Sequence, residues 1–460
     1  MSARKLAMIG LDCATPQLLF DRFARDMPRL AELLARSMWG PMRSIDPPIT
    51  VPAWSCMLSG RSPGELGIYG FRNRVDHSYD RLSIATSEHV RVPRIWDLLG
   101  AQGRDSVLLG VPGTYPPPPV RGCVVGDFLS PSTSVDWTYP SALGAEIEGL
   151  VGSYMLDVVN FRSEEKNRIA QQVFDMTEQR FRVARHLATT REWDLFAMVD
   201  MGPDRLHHGF WADCDPAHPR FDPAGPRTSL FRDYYRALDR HLGALLETFD
   251  DDTAVLVVSD HGAQPMVGGF CINEWLRAEG LLTLRTEPAG RLPIAEAAID
   301  WSRTAAWADG GYYARIFLNL AGREPEGSIA PADYDVIREQ IARAIEAVPD
   351  HEGRPMGTRA MRPEDLYPEV TGVAPDLLVY LGDLRWRSVG TLGLGQGLYT
   401  FENDTGPDDA NHADTGVFAL SGGGIDTGRS DDLSIYDVAP TIQALLGVPA
   451  PAGQRGRVLV

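Results

Sequence analysis

Five acidic and imidazole side chains lie at or just beyond the ends of apolar runs in the sequence, where they can bind a metal ion. They are Asp12, Asp204, His208, Asp260 and His261. In open α/β sheets, ligands bind beyond the carboxyl ends of the strands, so we expect these residues to meet at one edge of such a sheet. Carboxylate and imidazole groups suit zinc, manganese or iron. The pattern therefore predicts a metal site.

The spacing within these groups refines the prediction. If Asp204–His208 is helical, its first and last side chains share one face, and His207 points about a quarter turn away. Taken alone, this segment would be interpreted as a helix-capping Asp and a solvated His, and Asp12 could equally cap the next helix. The adjacent Asp260 and His261 instead favour a ligand pair, because an unpaired charge at the end of a buried strand is costly.

His412 is a further candidate ligand. It precedes the short apolar run Val417–Leu420, which places it at the edge of a predicted strand, although on its own it would be interpreted as a surface histidine. Six other histidines have no such setting, and we expect them to be structural or exposed. These are His77, His89, His186, His218, His241 and His351.

Thr50 is the candidate nucleophile. Prolines at positions 47, 48 and 52 stiffen the chain around it. From Trp54 the chain can turn into a helix, so Thr50 would lie near a helix N-terminus, a position that favours an anionic phosphate group. A hydroxyl beside a metal loses its proton more easily and becomes a usable nucleophile. Ser55 and Ser59 are rival hydroxyls deeper in that helix, and the segment alone could be a Pro-rich connection.

The elements that must position these residues follow from hydrophobic patterning. Nearly continuous apolar runs are typical of strands buried on both faces of a parallel sheet. They are Lys5–Leu11, Ser106–Gly110, Leu195–Val199 and Ala254–Ser259. Amphipathic helices are predicted between and after them, at Arg168–Glu192, Phe231–Phe249 and Val438–Leu446, the last with Asp437 as N-cap and Gly447 as its stop.

The alternation of strands and helices predicts an α/β fold with a doubly wound, mostly parallel sheet flanked by helices. We expect residues 1–261 and 412–460 to form this core. Residues 262–411 look different: strand-like runs Tyr312–Leu320 and Asp376–Leu381 flank the predicted helix Asp335–Val348. We interpret this segment as an inserted smaller α+β subdomain that shapes the substrate pocket.

Composition narrows the class of protein. The 460 residues carry a net charge of -18, which disfavours a nucleic-acid polymer or an anionic membrane as the main partner, but an anionic small molecule is compatible with it because bound metal ions reverse the local field. The five cysteines are far apart with no CxxC pair, which predicts neither disulfides nor a thiolate zinc site. No apolar run reaches the ~18 residues of a membrane span, so we expect a cytoplasmic protein. The sequence leaves the oligomeric state open.

Taken as a set, five segments resemble the type I phosphodiesterase/nucleotide pyrophosphatase family of the alkaline phosphatase superfamily. Each segment is weakly specific alone, but their order and spacing together are specific. The segments are Ile9–Asp12, Thr50–Trp54, Pro203–His208, Ser259–Gly262 and His412. The resemblance implies two divalent metal ions, usually zinc, with manganese or iron as alternatives. It also implies that Thr50 attacks phosphorus and forms a phosphothreonine intermediate, which water then releases.

The resemblance assigns the ligands residue by residue. Around one ion it implies Asp12, Thr50, Asp260 and His261. Around the other it implies Asp204, His208 and His412. The expected function is a metal-dependent hydrolase that cleaves phosphodiester or phosphoanhydride bonds of a small, nucleotide-like molecule. A phosphomonoesterase or phosphoryl-group transferase with the same bimetal site is the alternative enzyme, and a metal-binding scaffold without catalysis is the alternative of another class.

One position departs from the family pattern. The nucleotide-cleaving members usually carry an Asn further along the chain from the nucleophile, which contacts a phosphate oxygen. Phe71 stands at the corresponding place here. Tyr69, Arg72 and Asn73 are the candidates to replace it, and the sequence does not choose between them. This departure weakens the expectation of a nucleotide substrate specifically.

Overall fold

The computed structural model describes residues 5–394, 397–422 and 424–460. Its strands are β1 Lys5–Leu11, β2 Ser37–Arg43, β3 Arg72–Arg74, β4 Leu82–Ile84, β5 Ser106–Leu109, β6 Gly122–Val125, β7 Thr138–Tyr139, β8 Leu195–Asp200, β9 Thr253–Val258, β10 Gly262–Pro265, β11 Gly268–Cys271, β12 Ala306–Asp309, β13 Ala314–Leu318, β14 Arg359–Met361, β15 Leu377–Tyr380, β16 Trp386–Val389, β17 Tyr399–Thr400, β18 Ala410–Ala413, β19 Thr415–Ser421, β20 Gly428–Arg429 and β21 Leu433–Ser434. Its α-helices are α1 Pro28–Leu34, α2 Thr50–Ser59, α3 Pro63–Leu66, α4 Ile95–Ala101, α5 Ala142–Val151, α6 Lys166–Thr190, α7 Gly202–Cys214, α8 Leu230–Leu246, α9 Ile272–Ala278, α10 Tyr334–Glu346, α11 Pro363–Leu366 and α12 Val438–Leu446. Among these helices, none is long and apolar enough to cross a membrane.

A large sheet forms the centre of the molecule. Its strand order is β20-β2-β19-β9-β1-β8-β5-β6-β7, with β21 also paired to β2. The pairs from β9 through β1, β8 and β5 to β6 are parallel, whereas β19 runs antiparallel to both of its neighbours and β7 runs antiparallel to β6. Every residue of β5, β8 and β9 is buried, because helices cover both faces of a parallel sheet. The predicted doubly wound, mostly parallel α/β fold is confirmed.

Two groups of helices flank this sheet. Helices α6, α7 and α8 pack on one another, with α1 against α8 and α5 against α6. Helices α2, α4 and α12 form the other group, and α12 contacts β1. The long helix α6 and the amphipathic α8 turn their apolar stripes inward, as their periodicity predicts. All five cysteines are buried and free, as expected from their spacing.

The segment after β9 has apolar contacts of its own. Strands β12, β13, β15 and β14 form one sheet, and β16, β11 and β17 form another. Helices α9 and α10 pack with these strands into a second apolar cluster. The boundaries 262 and 411 stay a prediction, and residues 1–4, 395–396 and 423 of the predicted core and insert lie outside the described residues.

Two local predictions differ from the structure in detail. The helix that follows the Pro-rich segment begins at Thr50, not at Trp54, because the Ala53 N–H already donates to the Ile49 carbonyl at 2.8 Å. Asp437 is the N-cap residue of α12, as predicted, but its side chain makes no capping hydrogen bond to that helix. Its carboxylate instead accepts from the backbone N–H groups of Ser434 and Arg457.

Candidate active site

The carboxyl ends of neighbouring parallel strands bring three of the predicted residues together. Strand β1 pairs in parallel with β9 on one side and β8 on the other, so that Gly10 lies opposite Val258 and Leu11 opposite Asp200. The residues that follow these strands therefore emerge side by side at one edge of the sheet. Asp12 follows β1, and Asp260 and His261 follow β9. His261 Nε2 lies 3.1 Å from Asp260 Oδ2 and 3.9 Å from Asp12 Oδ1.

Helix α7 supplies Asp204 and His208. It begins shortly after β8, and the i, i+4 spacing puts His208 Nε2 3.3 Å from Asp204 Oδ1. His207 points elsewhere, as predicted, and its Nε2 lies 2.7 Å from the Tyr235 hydroxyl. The helical face that carries Asp204 and His208 is thus the one turned toward the strand ends.

His412, near the C-terminal end of the sequence, also joins the cluster. It lies on β18, which pairs antiparallel with β10 so that His412 is opposite Ala263. Its ring stacks on His261 with centroids 3.8 Å apart, and the His208 ring lies 5.3 Å away. The side chain is 1% exposed. The histidine that the sequence alone would place on the surface is therefore in the centre of the cluster.

Thr50 completes the group as the first residue of α2. Its Oγ1 lies 3.2 Å from His261 Nε2, and the side chain is buried beside the cavity described below. The rival hydroxyls lie elsewhere. Ser59 donates to the carbonyl of Ser55 at 2.6 Å within α2, and neither serine lines the cavity that Thr50 lines. All seven predicted side chains thus lie in one cluster.

The cluster contains donor sets suited to cations. Within the described ranges, three groups hold ligand atoms within 4.8 Å of one another. They are Asp12–Asp260–His261, Asp204–His261–His412 and Cys13–Asp204–His208. Three of these atoms are buried without a hydrogen-bond partner, namely Asp12 Oδ1, Asp260 Oδ2 and His208 Nε2. Buried polar atoms are rarely left unpaired, so the site fits divalent cations bound by oxygen and nitrogen ligands.

Each of the three candidate histidines has a hydrogen-bond partner at Nδ1. The Nδ1 atom of His261 lies 3.0 Å from the Gly262 carbonyl, and that of His412 lies 2.6 Å from the Pro48 carbonyl. Because a carbonyl only accepts, Nδ1 is the donor in both rings and Nε2 keeps its lone pair. His208 Nδ1 lies 2.8 Å from a carboxylate oxygen of Asp408. Such outer contacts fix the ring and its tautomer in metal-binding histidines.

The carboxyl groups are electrostatically strained without a cation. Burial raises the pKa of Asp12 well above its usual value, and the charge of Asp204 adds to the effect. Burial and the charge of Asp12 also raise the pKa of Asp260. Burial disfavours the charge of Asp204 as well, but the positive charges of His208 and Arg205 outweigh it and hold that pKa well below the usual range. A bound divalent cation would favour the ionised form of all three.

Sequence comparison decides the family. The family model for type I phosphodiesterase / nucleotide pyrophosphatase matches residues 6–408. The chain belongs to this family. It is therefore a phosphodiesterase/pyrophosphatase-type hydrolase of the alkaline phosphatase superfamily. Members of the family use a bimetal site. No curated protein matches the sequence.

Solved structures of low identity share the fold. Human ectonucleotide pyrophosphatase / phosphodiesterase 5 has a TM-score of 0.57 at 13% identity and covers 98% of this chain and 97% of its own. An inactive murine form of that protein in complex with AMP has a TM-score of 0.57 at 13% identity, covering 99% and 97%. Phosphonoacetate hydrolase from Sinorhizobium meliloti 1021, in complex with phosphonoformate, has a TM-score of 0.58 at 14% identity, covering 97% and 96%.

A cavity of about 440 Å³ opens beside Thr50 in this phosphodiesterase-family chain. Its wall contains the guanidinium-bearing residues Arg72, Arg162, Arg205, Arg315 and Arg387. It also contains the aromatic residues Phe71, Phe128, Phe161, Tyr312 and Tyr313. A larger groove of about 780 Å³ beside α6 contains none of the seven clustered residues. Of these two cavities, the smaller one is therefore next to the clustered side chains.

The structure separates the candidates for the missing family Asn. The Asn73 amide is used inside its own turn, where it accepts from the Tyr69 N–H at 2.8 Å and donates to the Gly70 carbonyl at 2.9 Å. The Tyr69 hydroxyl donates to the Thr371 carbonyl at 2.7 Å. Arg72 is exposed and lines the cavity. Of the three, only Arg72 is therefore available to a bound molecule.

Several residues of the site were not predicted. Asp408 is wholly buried behind His208 and accepts from Arg162 Nε at 3.0 Å. Arg205 contacts Asp204 and makes two further bonds to Asp157, at 2.7 and 2.8 Å. In the sequence, the only sign of Asp408 is its position four residues before His412 in a polar loop. Arg205 stands inside the matched segment but carries no distinguishing pattern.

Aromatic rings also border the candidate ligands. Tyr312 stacks on His412 with ring centroids 4.1 Å apart and on His208 at 4.9 Å. Trp54 donates from Nε1 to Asp12 Oδ2 at 2.7 Å. This bond holds one oxygen of Asp12, whereas Asp12 Oδ1 is buried without a hydrogen-bond partner.

Proposed function

We propose that this chain is a metal-dependent hydrolase that cleaves phosphodiester or phosphoanhydride bonds of a small molecule through a phosphothreonine at position 50. The proposed ligand sets are Asp12, Thr50, Asp260 and His261 for one ion, and Asp204, His208 and His412 for the other. Zinc is the proposed metal because three imidazoles accompany the carboxylates. The observation that carries the proposal is the position of Thr50 Oγ1, 3.2 Å from His261 Nε2, among buried carboxylate oxygens without partners.

The chemistry that bound ions supply in such sites is stabilisation of the attacking and leaving oxygens during in-line displacement. The chain provides the rest. Because His261 Nδ1 donates to a carbonyl, its Nε2 keeps a free lone pair, and this atom lies 3.2 Å from Thr50 Oγ1, close enough for both atoms to bind the same cation. Thr50 is also the first residue of α2, and the first N–H groups of a helix have no intrahelical acceptor. These groups favour the phosphate oxygens at the same place.

The proposed reaction has two displacements. In the first, the Thr50 oxygen forms a bond to phosphorus while the bond to the leaving oxygen breaks, and the hydroxyl proton passes to the leaving oxygen or to solvent. In the second, water attacks the same phosphorus, releases the phosphoryl product and restores the hydroxyl. Thr50 and the three histidines are at most 2% exposed, and such burial strengthens the electrostatic interactions at the reacting groups. The murine relative crystallised with AMP supports a nucleotide-like substrate.

Trapping the intermediate tests the proposal. The zinc-loaded enzyme is mixed with bis(p-nitrophenyl) phosphate and quenched in acid, and peptides are analysed by mass spectrometry. We expect a p-nitrophenyl phosphoryl group on Thr50 in the wild type, because only one of the two p-nitrophenolates leaves in the first displacement, and neither this adduct nor turnover with Thr50→Ala. Ser55→Ala on the same helix is the matched control and should retain both. Turnover by Thr50→Ala would contradict the assignment of the nucleophile, and much faster cleavage of p-nitrophenyl phosphate than of the diester would favour the monoesterase alternative.

A further inference from the structure

We propose that the cavity beside Thr50 contains a second anion-binding subsite, formed by Arg72, Arg315 and Arg387, which selects phosphate esters carrying another anionic group, a phosphoryl or a carboxylate. The proposal rests on the proposed function, since it names the substrate class of the same site. It starts from a contrast in charge. The whole chain is strongly acidic at -18, yet this cavity is lined by arginines that outnumber its acidic residues.

Two of the five arginines are already used by the catalytic cluster. Arg205 makes charge-assisted bonds to Asp157 and Asp204, and Arg162 bonds to Asp408. Their carboxylate partners belong to the cluster, since Asp204 is one of the seven clustered residues and Asp408 lies 2.8 Å from His208 Nδ1. We therefore assign Arg162 and Arg205 to positioning and leave them out of the subsite.

Arg387 is the buried member of the remaining three. It is 5% exposed, its Nε has no hydrogen-bond partner, and its other contacts are long, at 3.4 Å to Asp404 and 3.3 Å to the Thr405 hydroxyl. Burial lowers the pKa of Arg387, and the nearby Asp404 offsets this only in part. A buried guanidinium with incomplete compensation is costly, and an anion in the cavity would supply the missing acceptors.

Arg72 and Arg315 lie together on the wall of the same cavity. Arg315, on β13, donates to the Arg72 carbonyl and pairs with Asp309 at 3.3 Å. The Arg72 guanidinium makes no hydrogen bond or ion pair with any residue of the described part of the chain. The bridge between Gly311 and Ser388 holds the segment before β13 next to β16, which carries Arg387. Arg72 on β3, Arg315 on β13 and Arg387 on β16 therefore all line the cavity beside Thr50.

Guanidinium groups match the proposed ligand in shape as well as charge. Their planar forks donate two parallel bonds to a carboxylate or phosphate, which a lysine ammonium does not do. The five cationic side chains lining the cavity are all arginines. With Thr50 in the same cavity, a molecule whose phosphate reaches Thr50 can extend a second anion to these three residues.

Three diesters with the same leaving group test the proposal. They are p-nitrophenyl phenyl phosphate, which has a neutral second ester group, and its 4-carboxyphenyl and 4-phosphonophenyl counterparts. Because p-nitrophenolate leaves in each case, differences in kcat/KM report recognition of the retained group. Hydrogen bonds to charged groups contribute about 1.5–3 kcal/mol, so we expect the charged esters to be favoured about tenfold to a hundredfold. The carboxylate and phosphonate arms show which anion the subsite prefers.

Variants assign the preference to residues. In Arg387→Gln and Arg72→Gln, the ratio of kcat/KM between charged and neutral esters should fall toward one, mainly through KM for the charged esters. Arg343→Gln, on an exposed face of α10, is the matched control and should keep the wild-type ratio. Arg72 is exposed, so its variant tests the subsite even if Arg387→Gln does not fold. Thermal unfolding of each variant identifies such a failure.

The two proposals fail in different ways. Equal kcat/KM for charged and neutral esters in the wild type would overturn the subsite while leaving the hydrolase proposal intact. A wild-type ratio of kcat/KM between charged and neutral esters in a folded Arg72→Gln variant would also overturn the subsite, because Arg72 is one of its three proposed residues. If the wild type hydrolyses none of the three esters, or if the Thr50→Ala variant still hydrolyses them, the proposed function would instead be overturned.

Discussion

Asp408 should control the affinity of the metal position that contains His208. Its carboxylate is wholly buried, lies 2.8 Å from His208 Nδ1 and accepts from Arg162 Nε at 3.0 Å. Burial tends to lower the pKa of His208, but the charges of Asp408 and Asp204 outweigh this and raise it to about 9. Asp408 therefore increases the basicity of this ring and fixes its orientation. Asp408→Asn keeps the shape of the side chain and removes its charge.

The size of the effect follows from these contacts. Loss of the outer partner of a metal-binding histidine costs about 10–100-fold in metal affinity, equivalent to about 1.4–2.8 kcal/mol. A neutral amide oxygen still accepts one bond, but it cannot replace the charge that faces both His208 and Arg162. We expect one of the two metal positions to weaken by this factor in Asp408→Asn, and the position containing Asp260 to change little.

The assay is a competition between the protein and a chromophoric zinc chelator, which resolves two binding steps. Asp409→Asn is the matched control, because the carboxylate of Asp409 pairs with Arg220 at 2.5 Å and makes no contact with the His208 ring. Two binding constants identical to the wild type in Asp408→Asn would refute the reasoning. Equal weakening by Asp409→Asn would also refute it, since loop disruption would then explain the result.

Three further predictions concern stability. Removal of divalent ions by chelation should lower the melting temperature, since a ligand at a hundred times its Kd stabilises by about 2.7 kcal/mol per site; calorimetry measures this. Trp54→Phe removes the bond to the Asp12 carboxylate and should cost about 1–3 kcal/mol in urea unfolding. Burial lowers the pKa of His207 to about 3, below its unfolded value of 6.5. The free energy of unfolding should therefore decrease as pH falls from 6.5 toward 3, by about 2 kcal/mol at pH 5. His207→Gln should reduce this dependence on pH.

For each of these three predictions, one result would contradict it. A melting temperature that chelation does not change would mean that the buried carboxylates need no cation. Unfolding of Trp54→Phe at the wild-type urea concentration would show that the indole bond contributes nothing. Equal acid sensitivity of His207→Gln and the wild type would mean that His207 is not the group kept neutral by burial. His351→Gln, at a partly exposed position, is the control for the acid experiment.

The fold and the clustering of most candidate site residues were predictable because strand ends and helix spacing act over short stretches of sequence. A buried apolar run that ends in Asp or Asp-His identifies both a strand and the side chain at its carboxyl end, as at Asp12 and Asp260. The parallel register of β1 with β8 and β9 then brings these ends together. Helical i, i+4 spacing likewise predicts the shared face of Asp204 and His208. Thr50 and His412 needed the family resemblance.

The outer contacts were not predictable because they join residues that are far apart in sequence and whose types are common on surfaces. Asp408 lies 200 residues from His208 and stands in a polar loop, where an acidic residue is normally solvated. Arg387 lies in a short strand whose pattern does not distinguish a buried guanidinium from an exposed one. The start of α2 at Thr50 was missed because Pro52 is accepted in the first turn of a helix, so it does not delay the helix.

The most direct test of the central claim is anomalous diffraction at the zinc absorption edge from crystals of the zinc-loaded protein. We expect two anomalous peaks within the cluster around Thr50. One should be bounded by Asp12, Thr50, Asp260 and His261, and the other by Asp204, His208 and His412. No peak in this cluster, or a single peak bound by other residues, would contradict it.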